Sequence, residues 1–271
     1  MKIPMRYQNS INAHLLGNML NIKEYPLILA ITGRPGMGKS FQLRKHLEQL
    51  DFKVFSVNSA DLESEIAGVP AKLLKNKYVE ASCNISENNP SALIIDDIDT
   101  TVGEWEQNTG TVNHQGILAF FMHVADNPCH IEGMGKVNRV PIFFTGNNFD
   151  LLYEPLRRPG RTLRFDWEPT VSEKIEMLCS CNHLINTDTA EKLVGMYPNQ
   201  PISFFSAFFS IQGLKLLSNI ASTASMKQLL VDNNYRERIY QKYINLYRKT
   251  DWTNIICSHD GEVDDNGKGD D

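Results

Sequence analysis

The octapeptide GRPGMGKS at 33–40 constrains this chain more than any other stretch. It matches G-x-x-x-x-G-K-[ST]. A short apolar run, 26–32 (PLILAIT), precedes it, and a stretch at 40–50 with Leu43, Leu47 and Leu50 at helical spacing follows it. A buried strand, a tight glycine turn and a helix, in that order, make a loop whose backbone N–H groups converge on one anion. The helix adds the positive end of its dipole. Lys39 is placed to reach the β- and γ-phosphates of a nucleotide, and Ser40 to offer its hydroxyl to Mg²⁺. The predicted ATP cradle is Gly33, Arg34, Pro35, Gly36, Met37, Gly38, Lys39, Ser40 and Phe41. A glycine-rich turn matching by chance is the alternative, and it would lack the flanking strand and helix.

Three further apolar runs have the length of buried strands: 52–57 (FKVFSV), 92–95 (ALII) and 140–144 (VPIFF). Helical faces separate them, Leu74, Tyr78 and Ala81 in 71–81 and Ile117, Phe120, Phe121 and Val124 in 113–125. Strands alternating with helices predict a parallel α/β sheet covered on both faces. Beyond about 170 the strand signal stops, and 173–184, 190–197, 202–220 and 225–247 all read as helices. The expectation is an α/β nucleotide-binding domain at 26–170 and a small all-helical lid at 171–250, divided near Thr170 after Pro169. Residues 1–25 read as a polar lead-in. Residues 251–271 read as an acidic flexible tail, with six acids and one lysine in 260–271.

The strand 92–95 runs into Asp96, Asp97, Ile98 and Asp99. Acids at a strand end beside a phosphate loop suit Asp96 to hold Mg²⁺ through water and Asp97 to orient or deprotonate the attacking water. Asp99 reads as a helix N-cap before it reads as a second divalent site. The alternative for all three is an acidic surface turn. Asn147 follows 140–144 and can position water if that strand neighbours the Asp96 strand; a plain Thr-Gly-Asn turn is the other reading. Arg158 and Arg161 flank a Pro-Gly turn and can project as cations toward phosphate on another subunit. Solvated arginines are the simpler reading of that spacing.

The net charge of −5 and the lack of a basic stripe argue against a nucleic-acid partner. No run of 18 apolar residues is present, so no membrane span is expected. Five cysteines, an odd number, predict reduced thiols rather than a disulfide framework. Cys179 and Cys181 read as small buried residues of a lid helix, not as zinc ligands. Phe204, Phe205, Phe208 and Phe209 read as core, and the arginines and lysines of 236–248 as a solvated helix face.

Taken in order, GRPGMGKSFQ, LESEIAGVPAKLLKNKY, ALIIDDID, TVNHQ, ADNP, RVPIFFTGNNFDLLYEPLRRPGR and FDWEPT resemble the Rubisco activase family of AAA+ proteins over about 19–210. The resemblance implies a hexameric ATPase ring with Mg²⁺ and nucleotide between subunits. It implies Asn147 as a first sensor, and Arg158 and Arg161 as fingers acting in trans. The partner it implies is Rubisco, pulled upon to release inhibitory sugar phosphates. Residues 65–68 look like a first pore loop, and 103–115 like a second. The chain departs from the pattern at Phe209, where the family has a sensor arginine, and only about 25 residues precede the first strand. Those departures and the short Asp97 motivate an alternative, a nucleotide-gated scaffold that clusters Rubisco or another large complex without threading it. The expected location is bacterial cytoplasm, or chloroplast stroma if a transit peptide has been removed.

Overall fold

The computed structural model describes residues 2–62, 66–87, 89–101 and 112–256. The chain divides into two compact units, one spanning Ile3–Glu168 and the other Met1–Lys2 with Pro169–Asp271.

The first unit is organised by the alternation seen in sequence. Strands β1 (Ile28–Thr32), β2 (Lys53–Val57), β3 (Ser91–Ile95), β6 (Ile142–Thr145) and β7 (Thr162–Asp166) form one parallel sheet in the order β2-β3-β6-β1-β7. A two-stranded antiparallel ribbon, β4 (His130–Ile131) and β5 (Gly135–Lys136), lies outside it. The helices of this unit are α1 (Met5–Met19), α2 (Lys39–Gln49), α3 (Val69–Ser86), the short α4 (Ile98–Thr101), α5 (Val112–Asp126) and the short α6 (Glu154–Arg157). β1, β3 and β6 are buried at every position, as strands covered on both faces must be. Neighbouring residues of β6 show the two covers. Phe144 packs edge-on against Phe121 of α5 at 4.9 Å, and Phe143 against His14 of α1 at 4.9 Å.

Helix α1 lies in the stretch read as a lead-in. Its buried residues Tyr7, Ile11, His14, Leu15 and Asn18 recur at helical spacing. The stripe is built from tyrosine, histidine and asparagine as well as aliphatics, so a search for leucine-type periodicity passes over it. Asn18 is held by Arg139, whose Nε donates to its side-chain oxygen at 2.8 Å. Burial pushes the His14 imidazole down to about 3, so it is neutral, and its Nε2 lies 3.2 Å from the Ile142 carbonyl. Strand β7 (TLRFD) was also missed, because it is an edge strand in which only Thr162 is buried, Leu163 and Phe165 are half-buried and Arg164 and Asp166 are exposed.

The second unit is helical: α7 (Val171–Cys181), α8 (Thr187–Met196), α9 (Ile202–Ala221), α10 (Met226–Val231) and α11 (Asn233–Lys249), then a turn of helix at 252–256. Thr170 and Glu173 form a reciprocal capping box that starts α7. The span 225–247, read as one helix, is two. Asp232 breaks it and caps α11 by accepting from the N–H groups of Asn234 and Tyr235. Phe205, Phe208 and Phe209 are buried together with Tyr247 and Trp252. Cys181, expected to be buried, is exposed at the end of α7.

Candidate functional site

The parallel register brings three strand ends together. β6 lies between β1 and β3, with Ile31 opposite Thr145 and Ile95 opposite Phe144. The residues that follow β1, β3 and β6 therefore leave the sheet side by side, where parallel sheets collect ligands.

The loop after β1 turns on glycines. Gly33, Gly36 and Gly38 have φ of 143°, 74° and 78°, values that L side chains rarely adopt. Gly33 also has no room, because an added Cβ would stand 2.2 Å from the Trp167 carbonyl oxygen. Helix α2 begins at Lys39 with no side-chain cap, which leaves its first-turn N–H groups to whatever lies in the loop. A ring of aromatic and polar groups fixes the loop from behind. Trp167 donates its Nε1–H to the Met37 carbonyl at 2.9 Å and its backbone N–H to Thr32 at 2.6 Å. Tyr7 of α1 donates its hydroxyl to the Lys39 carbonyl at 2.6 Å and packs edge-on against Trp167 at 4.8 Å. Arg34 pairs with Glu168 at 2.8 Å. Pro35 and Phe41 are exposed on the rim.

Lys39 Nζ donates to the carbonyls of Gly33 (2.6 Å) and Arg34 (3.1 Å) and to Asn147 Oδ1 (3.1 Å). Burial lowers the pKa of its ammonium, against the pull of Asp99, Asp97 and Glu168. Ser40 Oγ donates to Thr145 Oγ1 at 3.0 Å, and Thr145 Oγ1 donates to Asp96 Oδ1 at 2.9 Å. A serine hydroxyl, a threonine hydroxyl and a carboxylate thus form a chain of hard oxygen donors, the set that suits Mg²⁺. The other oxygen of Asp96 is paired with Arg44.

Asp97 is exposed and takes a left-handed φ of 52°. Its carboxyl is raised above the usual carboxylate range, first by desolvation and then by Asp96 and Asp99. Asp99 is not an N-cap. It sits inside α4 and reaches across to the loop after β6, where Oδ2 accepts the N–H groups of Asn147 (2.7 Å) and Asn148 (3.2 Å). A Cβ on Gly146 would stand 2.8 Å from Asp99 Oδ1, so a side chain there would push the carboxylate aside. Asn147 thereby has its backbone held by Asp99 while its side-chain oxygen meets Lys39.

The two arginines of the 158–161 turn have different surroundings. Arg161 forks onto Asp126, Nε to Oδ1 at 2.7 Å and Nη2 to Oδ2 at 2.6 Å, and Nη1 donates to the Pro155 carbonyl at 2.9 Å. The hydrogen bond from Arg161 holds the Asp126 carboxyl below its usual range. Arg158 is exposed, and its guanidinium forms no hydrogen bond or ion pair with another described residue.

Sequence reasoning missed Tyr7, Arg44, Thr145 and Trp167. Arg44 carried a signal, since it stands four residues after Ser40 and so shares its helix face. Thr145 is the last residue of β6 and faces the Asp96 end. Tyr7 and Trp167 reach the loop through tertiary packing alone. Of the 65–68 reading, Glu65 lies outside the described residues. So does 103–111 of the 103–115 reading. The described remainders meet: Gly68 N–H donates to Asn113 Oδ1 at 2.7 Å, and Asn113 Nδ2 donates to the Ile66 carbonyl at 3.2 Å.

The family of ATPases associated with various cellular activities (AAA) has a model that matches residues 29–168. The chain is 37% identical over 219 residues to a ribulose bisphosphate carboxylase/oxygenase activase of Anabaena sp., covering 77% of this chain and 53% of that protein. It is 37% identical over 214 residues to the chloroplastic activase of Spinacia oleracea, covering 74% and 45%. With the Zea mays activase it shares 38% over 215 residues, covering 74% and 49%. The chain spans about half the length of these relatives.

Proposed function

Because the chain belongs to the AAA family of ATPases, we propose that it binds ATP in the loop at 33–41 and hydrolyses it in a ring of like subunits. The observation that carries this reading is the meeting of Lys39, Asn147 and Asp99 beside the Ser40–Thr145–Asp96 chain, at three adjacent strand ends. Backbone N–H groups of the loop and Lys39 bind the phosphates. Ser40 and Asp96 would hold Mg²⁺, directly and through water. When bound, Mg²⁺ supplies charge neutralisation to the phosphates and the leaving oxygen. Asp97 orients water and accepts its proton, a role helped by a raised carboxyl pKa. Asn147, held by Asp99, fixes that water from the other side.

Phosphoryl transfer is completed by positive charge on the transferred group. Arg158 is exposed for that task and acts on a neighbouring subunit's nucleotide. Arg161, tied to Asp126, holds the turn that presents it. The client we propose is Rubisco, from the names of the relatives. The work is release of bound sugar phosphate by pulling on the protein, with 65–68 and 103–115 in the pore.

A second reading draws on Phe209, which is buried in the lid core where a sensor arginine would stand. Without that cation the lid couples less directly to the nucleotide, as a scaffold gated by binding would require.

The test is ATP turnover per subunit against protein concentration, with particle mass measured in parallel and Rubisco present or absent. Turnover that rises with assembly, is lost in Arg158→Ala and responds to Rubisco is the expected result. Nucleotide binding with negligible turnover but with clustering of Rubisco would replace the remodelling reading by the scaffold. A monomer active at every dilution would overturn the ring.

A further inference from the structure

Arg44 sits in α2 one turn beyond Ser40 and faces the same way. Its Nη2 pairs with Asp96 Oδ2, and its Nη1 donates to Ser56 Oγ of β2 at 2.6 Å. The other oxygen of Asp96 is taken by the Thr145 hydroxyl. Both oxygens of the acid proposed to hold the metal are therefore already engaged, one of them by a permanent cation. The Asp96 side chain is 12% exposed and that of Arg44 41%, so the pair is anchored on the acid's side and open on the arginine's.

We propose that Arg44 is a resident cation at the metal corner and sets the Mg²⁺ concentration at which the metal joins bound nucleotide; this rests on the reading of the site as an Mg²⁺–nucleotide site. A guanidinium cannot lose its proton in the working pH range, so it repels an incoming divalent ion at any pH. It also occupies carboxylate lone pairs that metal-bound water would otherwise use. For Mg²⁺ to settle, Arg44 has to swing off Asp96 toward Ser56 and solvent, which its exposure allows. While Mg²⁺ is scarce, the same cation offsets part of the negative charge of Asp96, Asp97 and Asp99 near the phosphates. The site consequently tolerates metal-free nucleotide and takes up Mg²⁺ late.

The experiment is titration of the full chain with N-methylanthraniloyl-ADP at a series of free Mg²⁺ concentrations, read by fluorescence, for the parent, Arg44→Gln, Arg44→Met and Arg44→Lys. Removing the charge should lower the Mg²⁺ midpoint about tenfold, the scale of one like charge a few ångströms away. It should also weaken binding in EDTA. Either neutral variant suffices if the other fails to fold. Arg44→Lys, which keeps the charge, should stay within about threefold of the parent. An unshifted midpoint in a neutral variant with a parent-like melt would overturn the role of Arg44. So would equal shifts in the neutral and lysine variants, which would mean packing rather than charge. No binding by the parent at any Mg²⁺ concentration would overturn the nucleotide-site reading together with this one.

Discussion

At the scale of single residues, the site depends on groups that hold other groups. Asp99 is the clearest, since it accepts two backbone N–H groups from the loop that carries Asn147. Asp99→Ala orphans both donors, at about 1–3 kcal/mol of stability. It should cut turnover about 10- to 100-fold through misplacement of Asn147 while leaving nucleotide affinity within about threefold. Asp99→Asn keeps one acceptor oxygen and should recover part of the loss; equal damage in the two variants would count against positioning. Asp97 gives a prediction with a definite sign. Its folded pKa is raised, so its favourable contribution to stability is present below the unfolded value of 3.8 and is lost as pH rises through the folded value. Asp97→Asn should therefore melt higher than the parent at neutral pH and alike below about pH 4. Its turnover should fall at least about 100-fold. A melt that drops at neutral pH would contradict the desolvation argument.

At the scale of elements, α1 and the end of β7 belong to the site although neither carries a reacting group. Tyr7 is fully buried, its hydroxyl is kept protonated by desolvation, and it ends on the Lys39 carbonyl. Tyr7→Phe should cost about 1 kcal/mol in stability and loosen the loop. Fluorescent-nucleotide affinity should fall with it; unchanged affinity in a folded Tyr7→Phe chain would mean that α1 supports the sheet and not the loop. In the lid, Phe209 fills a core with Phe208, Tyr247 and Trp252. Restoring an arginine by Phe209→Arg buries an unpaired charge, so it should destabilise that unit by several kcal/mol rather than restore a sensor. Thermal melting decides the point, and a melt at or above the parent's would show that α9 can turn that position outward.

At the scale of the whole molecule, the role proposed for the exposed Arg158 requires that another subunit supply the nucleotide. Mixing two inactive variants tests this directly. Asp97→Asn subunits keep Arg158, and Arg158→Ala subunits keep Asp97, so mixed rings contain intact junctions. Neither variant alone should hydrolyse ATP appreciably, and the mixture should regain turnover. Absence of recovery at every mixing ratio would exclude action in trans. Arg161→Ala should behave differently in one respect, since it also removes an ion pair and so should lower the melting temperature slightly, by about 0.2–1 kcal/mol in stability.

What the sequence determined by itself was local and periodic. The glycine loop 33–40, the apolar strands and the acids after 92–95 are each contiguous, so their order along the chain is legible without any tertiary contact. The parallel α/β class followed from their alternation. The tertiary structure alone decided which distant residues meet. It placed β6 beside β1, so that Asn147 faces Lys39 across 108 positions of sequence. It turned Asp99 from a helix cap into the anchor of that asparagine. It buried Tyr7 and Trp167 behind the loop, paired Arg44 with Asp96, and tied Arg161 to Asp126 while leaving Arg158 out. The physical reason is that a periodic pattern specifies which face of an element is buried but not what it is buried against. Hydrogen bonds and ion pairs between elements are set only when strand order and register are chosen.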